Sequence, residues 1–293
     1  MQGLLRRLTL FLSAVLALAV TMLTVTPASA APSRSTTNTN TVIFVHGIQG
    51  DPTKTGHDCR ATWSAARNHF ADKGWRGSLL TFGYYAGDTN CSHEFGGNRD
   101  TPIQDVAKAF ANYVYDNFSK PSKGSKKIDV VAHSMGGLVV RAALYHTGRG
   151  TAGFPDGPIY IEDVATLATP HGGSTNDGFC RFLWQQCKDM RPGSAFLDVL
   201  PSTMPNSGNG FGTDWTTMSA FHDGYVSESS GIAGTAEHEI QYNDDRVGHV
   251  SFPKLTTGTY NSRIKNNSTW TGWNRYAAPV EMARIAVYRP STA

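Results

Sequence analysis

Charge of one sign is scarce in this chain. Its 293 residues carry 26 Lys and Arg against 23 Asp and Glu, a net charge of +3. Without Arg6 and Arg7 that value falls by two, to +1. So even a balance argues against a nucleic-acid partner and gives no electrostatic reason to expect an anionic membrane surface. Cysteine is also sparse, with four residues. None stands in the paired Cys-x-x-Cys spacing of a structural metal site, which argues against one. Internal repeats and an interdomain linker are absent, so residues 41–293 are expected to form a single domain, large enough to bury a core without staples.

The first thirty residues do have a long apolar run. Arg6 and Arg7 precede it, it extends for about 18 residues from Leu8, and Pro27-Ala28-Ser29-Ala30 closes it with a small-residue, cleavage-like end. That order describes a secretory signal peptide over 1–30, with a membrane anchor as the competing reading. Residues 31–40, rich in Ser, Thr, Asn and Pro, suit a flexible N-terminus of the exported chain. In a secreted, extracellular protein an even cysteine count reads as disulfides. Cys59–Cys91 with Cys180–Cys187 is the most local of three pairings. The second bridge requires a bend, because seven residues of straight helix separate Cα atoms by about 10 Å.

Val42-Ile43-Phe44-Val45 is a continuous β-branched and aromatic run, the mark of a strand buried on both faces. A helix is expected around 61–73 and a strand around 79–84. Asp100-Thr101-Pro102 then reads as a helix start. Behind it Ile103, Val106, Phe110, Tyr113, Val114 and Phe118 form one face of a long amphipathic helix. Strands are expected around 128–132, 159–168, 215–220 and 238–242, with a helix over 135–146 and a long irregular stretch over 171–213. Buried strands alternating with amphipathic helices predict an α/β fold: a mostly parallel sheet with helices on both faces.

A serine hydroxyl needs a base and a fixed geometry before it attacks anything. Val130-Val131-Ala132-His133-Ser134-Met135-Gly136-Gly137-Leu138 provides the setting. A strand runs straight into a helix through a turn centred on Ser134, and Ala132 and Gly136 let the two elements approach closely. This marks Ser134 as the candidate nucleophile on the elbow of an α/β-hydrolase. An anionic intermediate on such a serine needs two backbone N–H donors. Met135, just after the serine, and Ile48, in His46-Gly47-Ile48 at the end of the first buried strand, are the natural ones. His46 itself reads as a structural hydrogen-bonder more than as a proton carrier.

The chain resembles the compact bacterial lipases of the α/β-hydrolase fold whose elbow reads Ala-His-Ser-Met-Gly. The resemblance rests on Val42–Gly50, Ala132–Gly137, Thr166-Leu167-Ala168-Thr169-Pro170-His171-Gly172-Gly173 and Gly248-His249, in that order. It implies the chain order nucleophile, acid, histidine. His249, beyond the expected last core strand, matches the histidine loop of those lipases; His171 is its chief rival. Asp223 follows the strand around 215–220 and matches their Asp-x-x-Val segment. Asp244 and Asp245 are the alternatives, and Asp214 stands at the wrong end of its strand. The expected activity is that of a triacylglycerol lipase or carboxylesterase, with a polyester depolymerase as the alternative and a peptidase of the same fold less favoured. No cofactor or metal is required. The expected partner is an ester with an apolar acyl group, with possible contact with a lipid interface, and the protein is expected to be monomeric. Phe179, Phe182, Leu183, Trp184, Phe196, Leu197 and Leu200 either form an apolar rim for acyl chains or pack a helix onto the core.

Overall fold

In the computed structural model, residues 37–175, 180, 184–208 and 210–288 are described. The expected signal peptide and most of the 31–40 segment lie outside the described residues, as do Phe179, Phe182 and Leu183. Strand β1 (Thr41–Val45) forms from the apolar run and is flanked by strands on both sides. Helix α1 (Ser64–Asp72), strands β2 (Leu79–Tyr85) and β3 (His93–Gly97) and helix α2 (Ile103–Val114) follow. Strand β4 (Ile128–His133), helix α3 (Met135–Gly148), strand β5 (Ile161–Leu167) and strand β6 (Asp214–Ala220) form the centre. The chain then adds β7 (His238–Tyr242), β8 (Thr259–Asn266), β9 (Thr269–Trp270), β10 (Asn274–Ala277) and helix α4 (Pro279–Ala286).

The strands lie in the order β10-β8-β7-β6-β5-β4-β1-β2-β3, with β9 paired to β8. From β3 to β7 along that order every pairing is parallel. Strand β8 runs antiparallel to β7, and β9 and β10 run antiparallel to β8. Parallel strands require helical cover on both faces. Helices α2 and α3 supply it on one face, where Ile103, Val106, Phe110 and Leu138 join Ile43 and Val130. Helices α1 and α4 cover the other, where Phe70 and Ala283 join Phe44, Val131 and Ala165. This is the α/β-hydrolase architecture, a largely parallel central sheet between two helical layers.

Four local departures from the sequence reading have physical causes. Residues 61–73 do not form one helix. A four-residue turn (Cys59–Thr62), capped by the Asp58 carboxylate, ends at the fully buried Trp63 before α1 begins. Helix α2 has no cap from its own N-terminal side chains; the Ile103 amide donates to Asp189 Oδ2 at 2.9 Å, a cap supplied from far along the chain. Strand β5 stops at Leu167 because Ala168 turns into positive φ (52°). Strands β3 and β8–β10 extend the sheet at its two edges without any continuous apolar run.

Within 171–213, two short helices form at Gln185–Asp189 and Ala195–Asp198. Phe196 and Leu200 are buried, and Trp184 and Leu197 pack against the same core. Phe196 and Leu200 thus follow the packing reading, while Trp184 and Leu197 pack on the same core and stay partly exposed. Both disulfides join the expected cysteines, Cys59 to Cys91 and Cys180 to Cys187. Trp184, in extended conformation (φ −59°, ψ 148°), breaks the helical path between Cys180 and Cys187, and their Cα atoms are 5.3 Å apart. Among the described residues no helix is long and apolar enough to cross a membrane.

Candidate active site

Strand β4 enters helix α3 through Ser134, whose backbone lies at φ 55°, ψ −132°. That region is costly for any residue with a side chain, of order 1–3 kcal/mol, and persists only where the surroundings enforce it. Here the Ser134 amide donates to the Leu167 carbonyl at 2.9 Å. A Cβ on Gly136 would come within 2.5 Å of the His46 carbonyl oxygen and 2.6 Å of that of Val45. A Cβ on Gly47 would meet Ser134 Cβ at 2.7 Å. The loop after β1 therefore lies directly against the serine, and only glycine lets it pass. The N-terminus of α3 beneath Ser134 contributes partial positive charge.

The expected partners converge on this turn. Ser134 Oγ and His249 Nε2 are 2.9 Å apart, and His249 Nδ1 is 2.9 Å from Asp223 Oδ2. A carboxylate accepts only, so Nδ1 carries the proton, and Nε2 is left to accept from the serine hydroxyl. The other oxygen of Asp223 accepts from the Tyr225 and Val226 amides at 2.8 and 3.0 Å, which fixes the carboxylate in place. His133 Nε2 donates to the His249 carbonyl at 2.9 Å and anchors the histidine loop. Burial, then the neighbouring His249, holds the His133 imidazole well below the usual histidine range, so it is a neutral anchor.

The rivals lie elsewhere. His171 is buried against Thr166, and its carbonyl accepts from Arg141 at 3.0 Å. Asp244 is engaged by Arg246 at 2.7 Å, and the Asp245 side chain is 92% exposed near His222.

Sequence reasoning missed a second cluster beneath the loop after β1. Asp88, with its side chain fully buried, accepts from the amides of Tyr84, Tyr85 and His57 at 2.7, 2.9 and 2.7 Å. His46 Nε2 donates to it as well, at 2.9 Å. Burial works to raise the Asp88 carboxyl, but the bond from His46 and those amides outweigh it and hold it below the usual carboxylate range. His57 stacks near His46 and is pulled down to about 3, first by burial and then by His46. Arg99 pins the loop from its outer side, donating to the carbonyls of Gln49, Asp51 and Lys54. No spacing rule marks these residues, because the bonds that join them to the loop after β1 span 42 positions for His46–Asp88 and 50 for Gln49–Arg99.

Ser134 opens into a cleft of about 580 Å³. Ile48, Ala61, Val250 and Pro253 line it together with Asp51, His57, Thr62 and Lys254. Two buried groups of metal-ligating residue types occur among the described residues. In one, His46, Cys59 and Asp88, the cysteine sulfur is committed to the disulfide with Cys91. The other, Asp129, Glu162 and Asp163, includes Glu162, which accepts from Asn40 at 2.9 Å and pairs with Lys127 at 3.4 Å.

A family model described as "Putative serine esterase (DUF676)" matches residues 35–186, more than half of the chain. The chain belongs to this serine-esterase family. The matched segment carries Gly47, Ile48 and Ser134 and ends before Asp223 and His249. No curated protein sequence matches it. Among solved structures, the mature lipase BlEst2 of Bacillus licheniformis is 17% identical with a TM-score of 0.47, over 78% of this chain and 91% of that chain. Lipase B of Aspergillus fumigatus is 15% identical with a TM-score of 0.46, over 71% and 44%. Phospholipase PlaB of Legionella pneumophila, in complex with thio-NAD, is 17% identical with a TM-score of 0.40, over 66% and 44%. The chain thus spans less than half the length of the last two.

Proposed function

We propose that this protein is a carboxylic ester hydrolase in which Ser134 is the nucleophile, His249 the general base and Asp223 the group that orients it. The observation that carries this reading is the unbroken hydrogen-bond chain from Ser134 Oγ through His249 to Asp223, on a strained turn at the floor of an open cleft. Ser134 Oγ attacks the ester carbonyl as its proton passes to His249 Nε2. The tetrahedral oxyanion is held by the amides of Ile48 and Met135. The imidazolium then gives its proton to the departing alkoxide, leaving an acyl-serine. Water, deprotonated by His249, attacks that ester, and the proton returns to Ser134 as the acid departs.

The cleft supports carboxylesterase over triacylglycerol lipase activity. A long acyl chain gains its binding free energy from continuous apolar wall, at roughly 25 cal/mol per Å². Here Asp51, His57, Thr62 and Lys254 interrupt the wall. The two disulfides support an oxidising, extracellular setting, with residues 1–30 removed on export.

The test is turnover of p-nitrophenyl esters from acetate to palmitate, beside a triglyceride emulsion and a polyester film. Wild type is expected to hydrolyse the short esters best, and Ser134→Ala to lose at least about 10³-fold in kcat while keeping its Tm. Ester hydrolysis surviving in Ser134→Ala would sink the assignment. A maximum on long chains or on the film would move the substrate to lipid or polyester.

A further inference from the structure

We infer that Tyr84, His46 and Asp88 form a buried positioning device that aims the Ile48 amide at the reacting carbonyl; the inference rests on the ester-hydrolase reading above. An oxyanion donor works only if it is already pointed before charge develops, because a peptide that must rotate during the reaction gives back what it gains. The Gly47–Ile48 peptide sits in a loop against the open cleft, without strand pairing to hold its plane. Something else must set that plane.

The structure shows what does. The Tyr84 hydroxyl, fully buried, lies 2.6 Å from the Gly47 carbonyl oxygen and 2.8 Å from that of His46, and its one proton is shared between them. His46 Nδ1 lies 2.9 Å from the same Gly47 oxygen; both ring nitrogens thus face acceptors, an arrangement that takes the doubly protonated ring, ion-paired with Asp88. That oxygen is thus drawn into the core by two side-chain donors. In a trans peptide the C=O and the next N–H point in opposite directions, so the Ile48 N–H faces away from the Tyr84 hydroxyl, and Gly47 itself lies against Ser134.

His46 keeps its own orientation because Nε2 is tied to Asp88 at 2.9 Å and its ring lies on that of Tyr84, with centroids 4.2 Å apart. Asp88 in turn is held by the amides of Tyr84, Tyr85 and His57. The chain therefore runs from the Asp88 carboxylate to His46 to the Gly47 carbonyl, and ends at the Ile48 amide. None of the three residues touches the substrate in this scheme, so they are positioning residues. Their removal acts on the transition state and leaves ground-state binding alone.

Tyr84→Phe deletes the hydroxyl and keeps the ring; Asp88→Asn keeps the shape and removes the charge. With a short p-nitrophenyl ester, Tyr84→Phe is expected to lower kcat about ten-fold, a fraction of the 10²–10³ that follows outright loss of an oxyanion donor. KM stays within about two-fold, and the Ki of a trifluoromethyl ketone, which forms a tetrahedral oxyanion on the serine, rises by the same factor as kcat falls. Asp88→Asn shifts the same quantities in the same direction; if it does not fold, Tyr84→Phe decides alone. Wild-type kcat and Ki in Tyr84→Phe would overturn the inference, and so would a fall in Tm and a rise in KM at constant kcat.

Backbone hydrogen exchange over residues 46–50 needs no ester at all. Faster exchange in Tyr84→Phe supports the pinning, and unchanged exchange overturns it. Ester hydrolysis persisting in Ser134→Ala would overturn the nucleophile and leave this exchange readout standing.

Discussion

At the scale of single residues, Asp223 is the side chain on which the proton bookkeeping turns. Its two amide donors and the His249 Nδ1–H use both of its oxygens. Asparagine in its place offers an N–H toward Nδ1 and favours the wrong imidazole tautomer. Asp223→Asn is therefore expected to reduce kcat by roughly 10³–10⁴-fold with little change in Tm, read from ester turnover and calorimetry; near-wild-type turnover would redirect the acid to Asp244 or Asp245. That Ser134, Asp223 and His249 meet was legible in the sequence, Ser134 from its strand–turn–helix setting and the other two from segments that resemble those of the compact lipases. Tyr84 and Asp88 were not. Tyr84 reads as one more strand aromatic and Asp88 as a turn carboxylate, and only the folded chain brings them to His46. The same distance hid Asp189 as the cap of α2.

Elements tell a similar story with a different cause. The interior of the sheet was legible because strands covered on both faces must be apolar throughout, as in β1 and β4. Strand β3 sits at one edge with Glu94 and Phe95 exposed, and β8 alternates, with Tyr260 and Ser262 buried between less buried neighbours. The edge strand β3 tolerates charge, and β8, paired with β7 and β10 in the antiparallel part of the sheet, is only half buried, so no continuous apolar run announces either. The contact between α3 and β1 makes a sharper demand. With two carbonyl oxygens within 2.6 Å of where its Cβ would be, Gly136→Ala must push the helix off the strand. We expect a loss of about 1–3 kcal/mol in urea denaturation, together with a fall in kcat larger than any change in KM, because the serine turn and the Gly47 loop move apart.

On the scale of the whole molecule, buried histidines set the response to acid. Burial first, and then neighbouring charge, holds His133 and His171 well below the usual histidine range, and His57 at about 3. Their unfolded values are near 6.5, so below that pH the unfolded chain takes up protons that the folded chain refuses. The stability tied to them is present above about pH 6.5 and drains away as pH falls. Glu281, held at about 2 chiefly by Arg284, adds a further loss between the usual glutamate range and pH 2, reduced by its partial exposure. His238 runs the other way: burial lowers it, but Asp214 and Asn266 outweigh that and raise it, so its contribution is lost as pH rises. Between pH 5 and 7 the lowered histidines, which also include His93 and His146, outnumber the raised His238, so the Tm at pH 5 is expected to lie several degrees below that at pH 7. Scanning calorimetry across that range checks it, and a flat or rising Tm would contradict it.

The hydrogen-bonded side chains of the cleft are far apart along the chain: 115 residues between Ser134 and His249, 42 between His46 and Asp88. Contacts of that range form late, after much loop entropy has been lost. The loop that carries Ile48 follows β1, Ser134 follows β4, Asp223 follows β6 and His249 follows β7. Neither half of the polypeptide therefore contains a working remnant of the cleft. Ester turnover would report only the last stage of refolding, when the strands have all found their neighbours.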